Sequence, residues 1–277
     1  MPLNSVNTNI GAQVALASLN RTADELAVTQ KRISTGMRVA DARDDGAAFA
    51  VAERVRGEIA ATTSANEQLG GAKGLLDVTQ ASLQNVSSTL NKLKEVAVKL
   101  ADGTITAEQR TQYQTQAKEL TNNISAFIKD ASYNGLNILN DPATTANNLV
   151  RNGAGEIYTI NGYAAMTNIF NEVSAANTWT RGDASAALTA TGALGTAITN
   201  TVTQMNNFGS YARYVDAQIG FNNAKIDAQQ AGMGALVDAD LAKESAKLQS
   251  LQIRQQLGTQ ALGIANQAPQ VLLSLFR

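Results

Sequence analysis

Cysteine and histidine are both absent from the 277 residues. That excludes disulfides, thiol and imidazole nucleophiles, histidine general bases and nearly every zinc site. Proline occurs at only three positions, Pro2, Pro142 and Pro269. Proline-free runs of such length favour helices. Charged side chains make up 16% of the chain, against about a quarter in ordinary soluble domains. A net charge of −1 gives nucleic acid or an acidic membrane no electrostatic hold. No apolar run approaches the roughly 18 residues of a membrane span. Neither partner is expected, and no cofactor or metal is implied. The start, MPLNSVNTNIGAQVALASLN, lacks the positive charge and unbroken apolar core of a cleaved secretory signal. Any export is therefore expected to use a route without one.

What the chain does have is a long heptad pattern between Val55 and Leu100. One register collects Val55, Thr62, Leu69, Leu76, Leu83, Leu90 and Ala97, and its companion Ala65, Ala72, Thr79, Val86, Leu93 and Leu100. This a/d spacing predicts a coiled-coil seam, with Leu69, Leu76, Leu83, Leu90, Leu93 and Leu100 as its strongest members. The helix would be about 70 Å long, which predicts an elongated molecule. Thr106 and Gln109 form a capping-box pair that opens a second helix. Its apolar positions Tyr113, Ala117, Leu120, Ile124 and Phe127 suit an antiparallel partner. Two β-prone runs, 148–151 and 156–160, flank Asn152-Gly153-Ala154-Gly155 and predict a hairpin. Residues 163–195 have mixed composition and read as a small, exposed, partly helical insertion carrying Trp179. Helix resumes near residue 196, with a joint expected at Gly232-Met233-Gly234. A last helix starts at Asp238 or Asp240, with a bend or break at Pro269.

The two ends share an unusual design. Residues 1–20 and 255–276 contain no charged side chain. Val6, Ile10, Val14, Leu19 and Leu26 stripe the first helix, which reads from residue 3 to 35. Ile253, Leu257, Ile264, Val271 and Leu275 stripe the last. Amides and hydroxyls on the remaining faces suit burial on several sides, where unpaired charges would be costly. One chain offers too little surface to cover both ends, whereas many copies would. These ten residues are the expected polymerisation core, ordered only when neighbouring copies cover them. Gly36 is an expected helix C-cap. Asp44 and Asp45 read as capping residues paired with Arg38, Arg43, Arg54 or Arg56 rather than as a metal site.

Four blocks carry a family resemblance. They are Arg32–Gly36 with Asp41–Ala48, Ser132–Leu139, Asp238–Glu244, and Ala265–Leu272. In that order they resemble the conserved blocks of bacterial flagellins, of the alphaproteobacterial type, with Phe49 and Gly57 as departures. The resemblance implies a mainly α fold: an elongated antiparallel coiled-coil or helical bundle with one small β-hairpin and paired N- and C-terminal helices. It implies three parts. Residues 1–37 and 241–277 would form a terminal-helix inner core. Residues 38–162 and 196–240 would form the bundle, and 163–195 the exposed insertion. The implied function is a non-enzymatic, secreted subunit that self-assembles into the flagellar filament used for swimming. Its implied partners are other copies of itself, the flagellar export apparatus, an export chaperone and the filament cap. Related proteins carry O-linked sugars, which makes Thr178, Thr180, Ser185, Thr189 and Thr191 candidates by location. Two other readings stay open, a hook–filament junction protein of the same superfamily and a secreted membrane-active translocator.

Overall fold

A computed structural model describes residues 8–141 and 146–275, with side chains through Gln267. The first helix, α1 (Ile10–Thr35), begins where Asn9 caps it, its Oδ1 accepting from the Ala12 N–H at 3.0 Å. It ends at Gly36, whose φ of 70° is the left-handed turn that glycine adopts without strain. Helix α2 (Gly46–Ala101) is capped by Asp45, whose Oδ1 accepts from the backbone of Ala47 and Ala48. Helix α3 (Ala107–Asp130) opens on the capping box of Thr106 and Gln109. Strands β1 (Ala146–Val150) and β2 (Ile157–Asn161) pair antiparallel, with Leu149 opposite Tyr158. A π turn at Met166–Phe170 passes into α4 (Asn171–Val173) and a 3-10 turn at Ser174–Thr178. Helices α5 (Arg181–Ala187), α6 (Ala193–Val237) and α7 (Leu241–Leu275) complete the chain.

The chain folds as two compact units, Glu58–Asp227 and Met1–Gly57 with Ala228–Arg277. The division thus lies inside α2 and α6, not at residues 37 and 241. In the first of these units the heptad seam is the core. Both registers are buried from Thr62 to Leu100, and Leu69, Leu76, Leu83, Leu90, Leu93 and Leu100 are fully so. Ala117, Ile124 and Ile128 of α3 close one side. Helix α6 runs antiparallel along another, with Gln80 Nε2 donating to the Met205 carbonyl and Lys73 paired with Asp216. The hairpin lays Tyr158 against Tyr214, ring centroids 3.8 Å apart. Its turn is held by Asn222, which is fully buried and donates to Asn66 Oδ1 and the Arg151 carbonyl.

Residues 163–195 are not an exposed insertion. Ala165, Ile169, Val173, Ala176, Trp179, Ala184, Ala187 and Leu194 are buried in the same core as the seam. Gln114 of α3 donates its Nε2 to the Trp179 carbonyl at 3.1 Å. The segment is a wall of the bundle built from short turns. An indole of such apolar area is stable only when most of it leaves water.

Two smaller expectations also change. The triplet Gly232-Met233-Gly234 lies inside a continuous α6. Glycine costs about 1 kcal/mol in a helix but does not forbid one. Met233 there packs on a small core of Val39, Ala52 and Val237. The joint comes later, where Asp240 Oδ1 accepts from Ala242 and Lys243 to start α7. Helix α7 then passes through Pro269 without a break.

Candidate functional site

The unit holding both ends is built on α1 and α7, which pack antiparallel: Asn9 meets Ala265, Leu19 meets Gly258, and Arg32 pairs with Glu244 at 3.1 Å. The less exposed positions of α1 are Ala12, Ala15, Leu19, Thr22, Leu26, Thr29 and Ile33, with Lys31 and Arg32 beside the last of them in ion pairs. Those of α7 are Glu244, Leu248, Leu251, Gly258, Leu262 and Ala265. Both sets keep a heptad register, by steps of three and four except for one step of seven from Leu251 to Gly258, so the pair is a two-stranded heptad seam. Small residues let the backbones approach. A Cβ on Gly258 would sit 3.2 Å from Leu19 Cδ1, so the glycine is the hole for that knob. The two helices therefore have each other as partners within one chain, although of the named stripe residues only Leu19 and Leu26 lie at their contact. The expectation missed this pairing because much of the seam is alanine, threonine and glycine, which an apolarity count passes over.

The ten expected polymerisation residues divide. Leu19 and Leu26 lie in this internal seam, half-buried. Ile10, Val14, Ile253, Leu257 and Ile264 do not. They occupy the c and f positions of the two heptads, outside the seam, with Leu257 also on the rim of the groove beside it. Val14 is 65% exposed and Ile264 70%. Val6 and the side chains of Val271 and Leu275 lie outside the described residues. In a soluble coiled coil these outer positions normally carry Lys and Glu. Here they carry Ile, Val and Leu, and no charge interrupts them over 10–20 or 255–267. Contiguous apolar surface of this kind marks an interaction face. Between the helices a groove of about 490 Å³ is lined by Arg21, Glu25, Arg254, Leu257 and Gly258 among others.

The connector from α1 to α2 holds a charge cluster built on Lys31. Lys31 Nζ sits 2.9 Å from both Asp41 and Asp44. The partner of Asp44 is thus this lysine of α1 rather than one of the expected arginines; Arg43 pairs with Asp41. The Lys31 contact, then the Arg43 N–H, hold the Asp41 carboxyl at about 2, below its usual 3.8. Lys31 and the Ala40 N–H lower Asp44 as well. A carboxyl depressed in the folded state contributes stability above its ordinary value and loses it as pH falls through the depressed one. The pair is solvent-screened, so its effect is modest. Melting temperature should fall between about pH 4 and pH 2 less steeply in Asp41→Asn than in the wild type. Equal slopes would show that this contact does not tie α1 to the connector. Among the described residues no group of acidic side chains is arranged to hold a metal ion, and no helix is long and apolar enough to cross a membrane.

The five hydroxyl candidates are all exposed. Thr178 and Thr189 donate to the carbonyls of Ala175 and Ala186, and Thr180 donates to Asp183 in the capping box of α5. Ser185 projects from α5 and Thr191 from the loop that follows it.

Comparison with known proteins agrees with this architecture. Residues 6–144 match the family described as "Bacterial flagellin N-terminal helical region", and residues 191–276 match "Bacterial flagellin C-terminal helical region". Flagellin FljK of Caulobacter vibrioides is 37% identical over 277 residues, covering 100% of both chains. A flagellin of Brucella melitensis is 33% identical, covering 99% of each. Among solved structures, that of a putative flagellar hook-associated protein from Vibrio parahaemolyticus superposes with a TM-score of 0.61. It covers 70% of this chain and 100% of that one at 14% identity, a likeness of fold.

Proposed function

The chain belongs to the bacterial flagellin family, and we propose that it polymerises through the outward faces of the α1–α7 pair. As a flagellin it is a structural, non-enzymatic subunit of the flagellar filament, the extracellular part of the organelle that drives swimming. One observation supports the assignment of the faces. Ile10, Val14, Ile253, Leu257 and Ile264 remain in water after the two helices have satisfied each other. Burying a side chain of that size stabilises by about 1.5–3 kcal/mol, so repeated copies of the pair have a strong drive to cover it. Open-ended assembly needs two different contacting surfaces on each copy, and a helix pair with apolar backs on both members supplies them. Thr29, Leu26 and Leu251 in the seam hold the two helices together in each copy.

The remaining partners belong to the same reading. The subunit travels unfolded through the flagellar export apparatus, escorted by a chaperone, and is placed under a filament cap. Lack of cysteine suits that passage, since nothing in the chain can cross-link on the way. Ser185 and Thr191, whose hydroxyls show no bond within the fold, are the stronger positions for an attached sugar. The test is electron microscopy with intact mass on protein recovered from outside the cell. The expected result is long filaments of one repeating chain, with any mass above the sequence value mapping to Ser185 or Thr191. Short assemblies that do not elongate would favour the hook–filament junction reading, and an unincreased mass would remove the sugar assignment.

A further inference from the structure

We infer that the side chain of Asn9 repairs the hydrogen bond that Pro269 deletes, and in doing so sets the register of α1 against α7. Proline has no N–H, so in an α-helix the carbonyl four residues before it loses its donor. For Pro269 that carbonyl belongs to Ala265. Asn9, far away in sequence, donates its Nδ2 to that same oxygen at 2.7 Å. The other half of its amide is also engaged, as the Oδ1 that accepts from Ala12 N–H at the start of α1. Both ends of the amide are therefore specified by what they meet, an N–H on one side and a carbonyl on the other. The backbones are close at this level: a Cβ on Gly11 would lie 3.9 Å from the Ala265 Cβ. A single side chain closes two backbone defects, one in each helix.

The contact discriminates between registers. At this end the seam is mostly small, with Ala12, Ala15 and Ala265 near the contact, so apart from Leu19 in the hole at Gly258 few side chains there resist sliding. A slip of one helical turn, about 5.4 Å, would carry Asn9 to another level of α7. Apart from the carbonyl that Pro269 leaves free, α7 carbonyls in its interior already accept an N–H from four residues on. Only at Ala265 does the amide find an empty acceptor. This parallels the use of one polar residue in an apolar coiled coil to specify alignment. Continuation of α7 past the proline is thereby tied to the presence of α1 beside it.

The inference concerns packing within one chain and stands whether or not the outer faces polymerise. Its test is hydrogen exchange on the full-length monomer. Asn9→Asp keeps the oxygen that caps α1 and removes the donor. Asn9→Ser keeps an uncharged cap and is too short to reach both groups. Each should speed exchange in α7 beyond Ala265 roughly ten-fold, as expected for one lost hydrogen bond to a partly buried carbonyl. Pro269→Ala supplies the missing N–H from within α7. In that background neither Asn9 variant should change exchange in α7. Unchanged exchange in the single Asn9 variants would overturn the inference. An equal acceleration with Ala at 269 would overturn it too, since the asparagine would then act independently of the proline.

Discussion

Leu83→Asp is expected to destabilise the full chain by about 3–5 kcal/mol, the range for an uncompensated buried charge. Leu83 is fully buried at the middle of the seam. The nearby hydroxyls offer no rescue. Thr79 donates to the Leu75 carbonyl, and Ser82 donates to the Phe127 carbonyl across to α3. A carboxylate at 83 would meet only the apolar cluster of α2, α3 and α6. It would stay charged and unpaired, or take up a proton at a cost in free energy. Leu83→Ala is the control for lost volume, at about 2–5 kcal/mol by itself. The aspartate should melt below the alanine. Thermal and urea unfolding, followed by circular dichroism, measure both. A melt unchanged from wild type would mean that the heptad face is not the core.

That prediction rests on a feature the sequence displayed openly. Leucine every seven residues from Leu69 to Leu90, followed by Leu93 and Leu100 in the companion register, is a strong periodic signal, and helices of that length have few alternatives. The wall at 163–195 was not legible, for three physical reasons. Its elements, Met166–Phe170, Asn171–Val173, Ser174–Thr178 and Arg181–Ala187, are each too short to establish a period. Half of its buried residues are alanine, whose single methyl adds little to an apolar pattern. Its π and 3-10 turns follow neither helical nor strand spacing. Two signals did point inward. A lone tryptophan in a chain with 5% aromatics is more often covered than not, and Thr180 with Asp183 is a capping pair that announces a helix. The terminal seam shows the opposite case. Its apolar residues were visible, but its contact face was not, because Gly258, Ala265 and Ala12 contribute shape rather than hydrophobic area. Counting apolar residues therefore selected the outer face and the seam together, and only the helix pairing separates them.

That separation leads to the largest expected effect on function. Ile264→Asp should abolish filament formation while leaving the monomer folded. Ile264 is 70% exposed in the free chain, on the side of α7 away from α1. A carboxylate there remains hydrated in the monomer, and surface changes of that kind cost no more than about 0.5 kcal/mol. In a polymer that covers the outer face, the same carboxylate would lose its water without gaining a cation. The nearest stretch of α7, residues 255–267, contains none. An uncompensated charge costs about 3–5 kcal/mol per subunit on burial, which raises the critical concentration by a few hundred-fold or more. Ile264→Val, which removes about one methylene, should still assemble. Leu262→Asp provides the contrast. Leu262 is half-buried in the seam, so the charge there should loosen the α1–α7 pair in the monomer itself. Sedimentation across a concentration series, electron microscopy and a monomer melt distinguish the three variants. Long filaments from Ile264→Asp at wild-type concentration would show that this face stays in water in the filament. A monomer melt lowered as far by Ile264→Asp as by Leu262→Asp would show that Ile264 stabilises the single chain, and that assembly uses another surface.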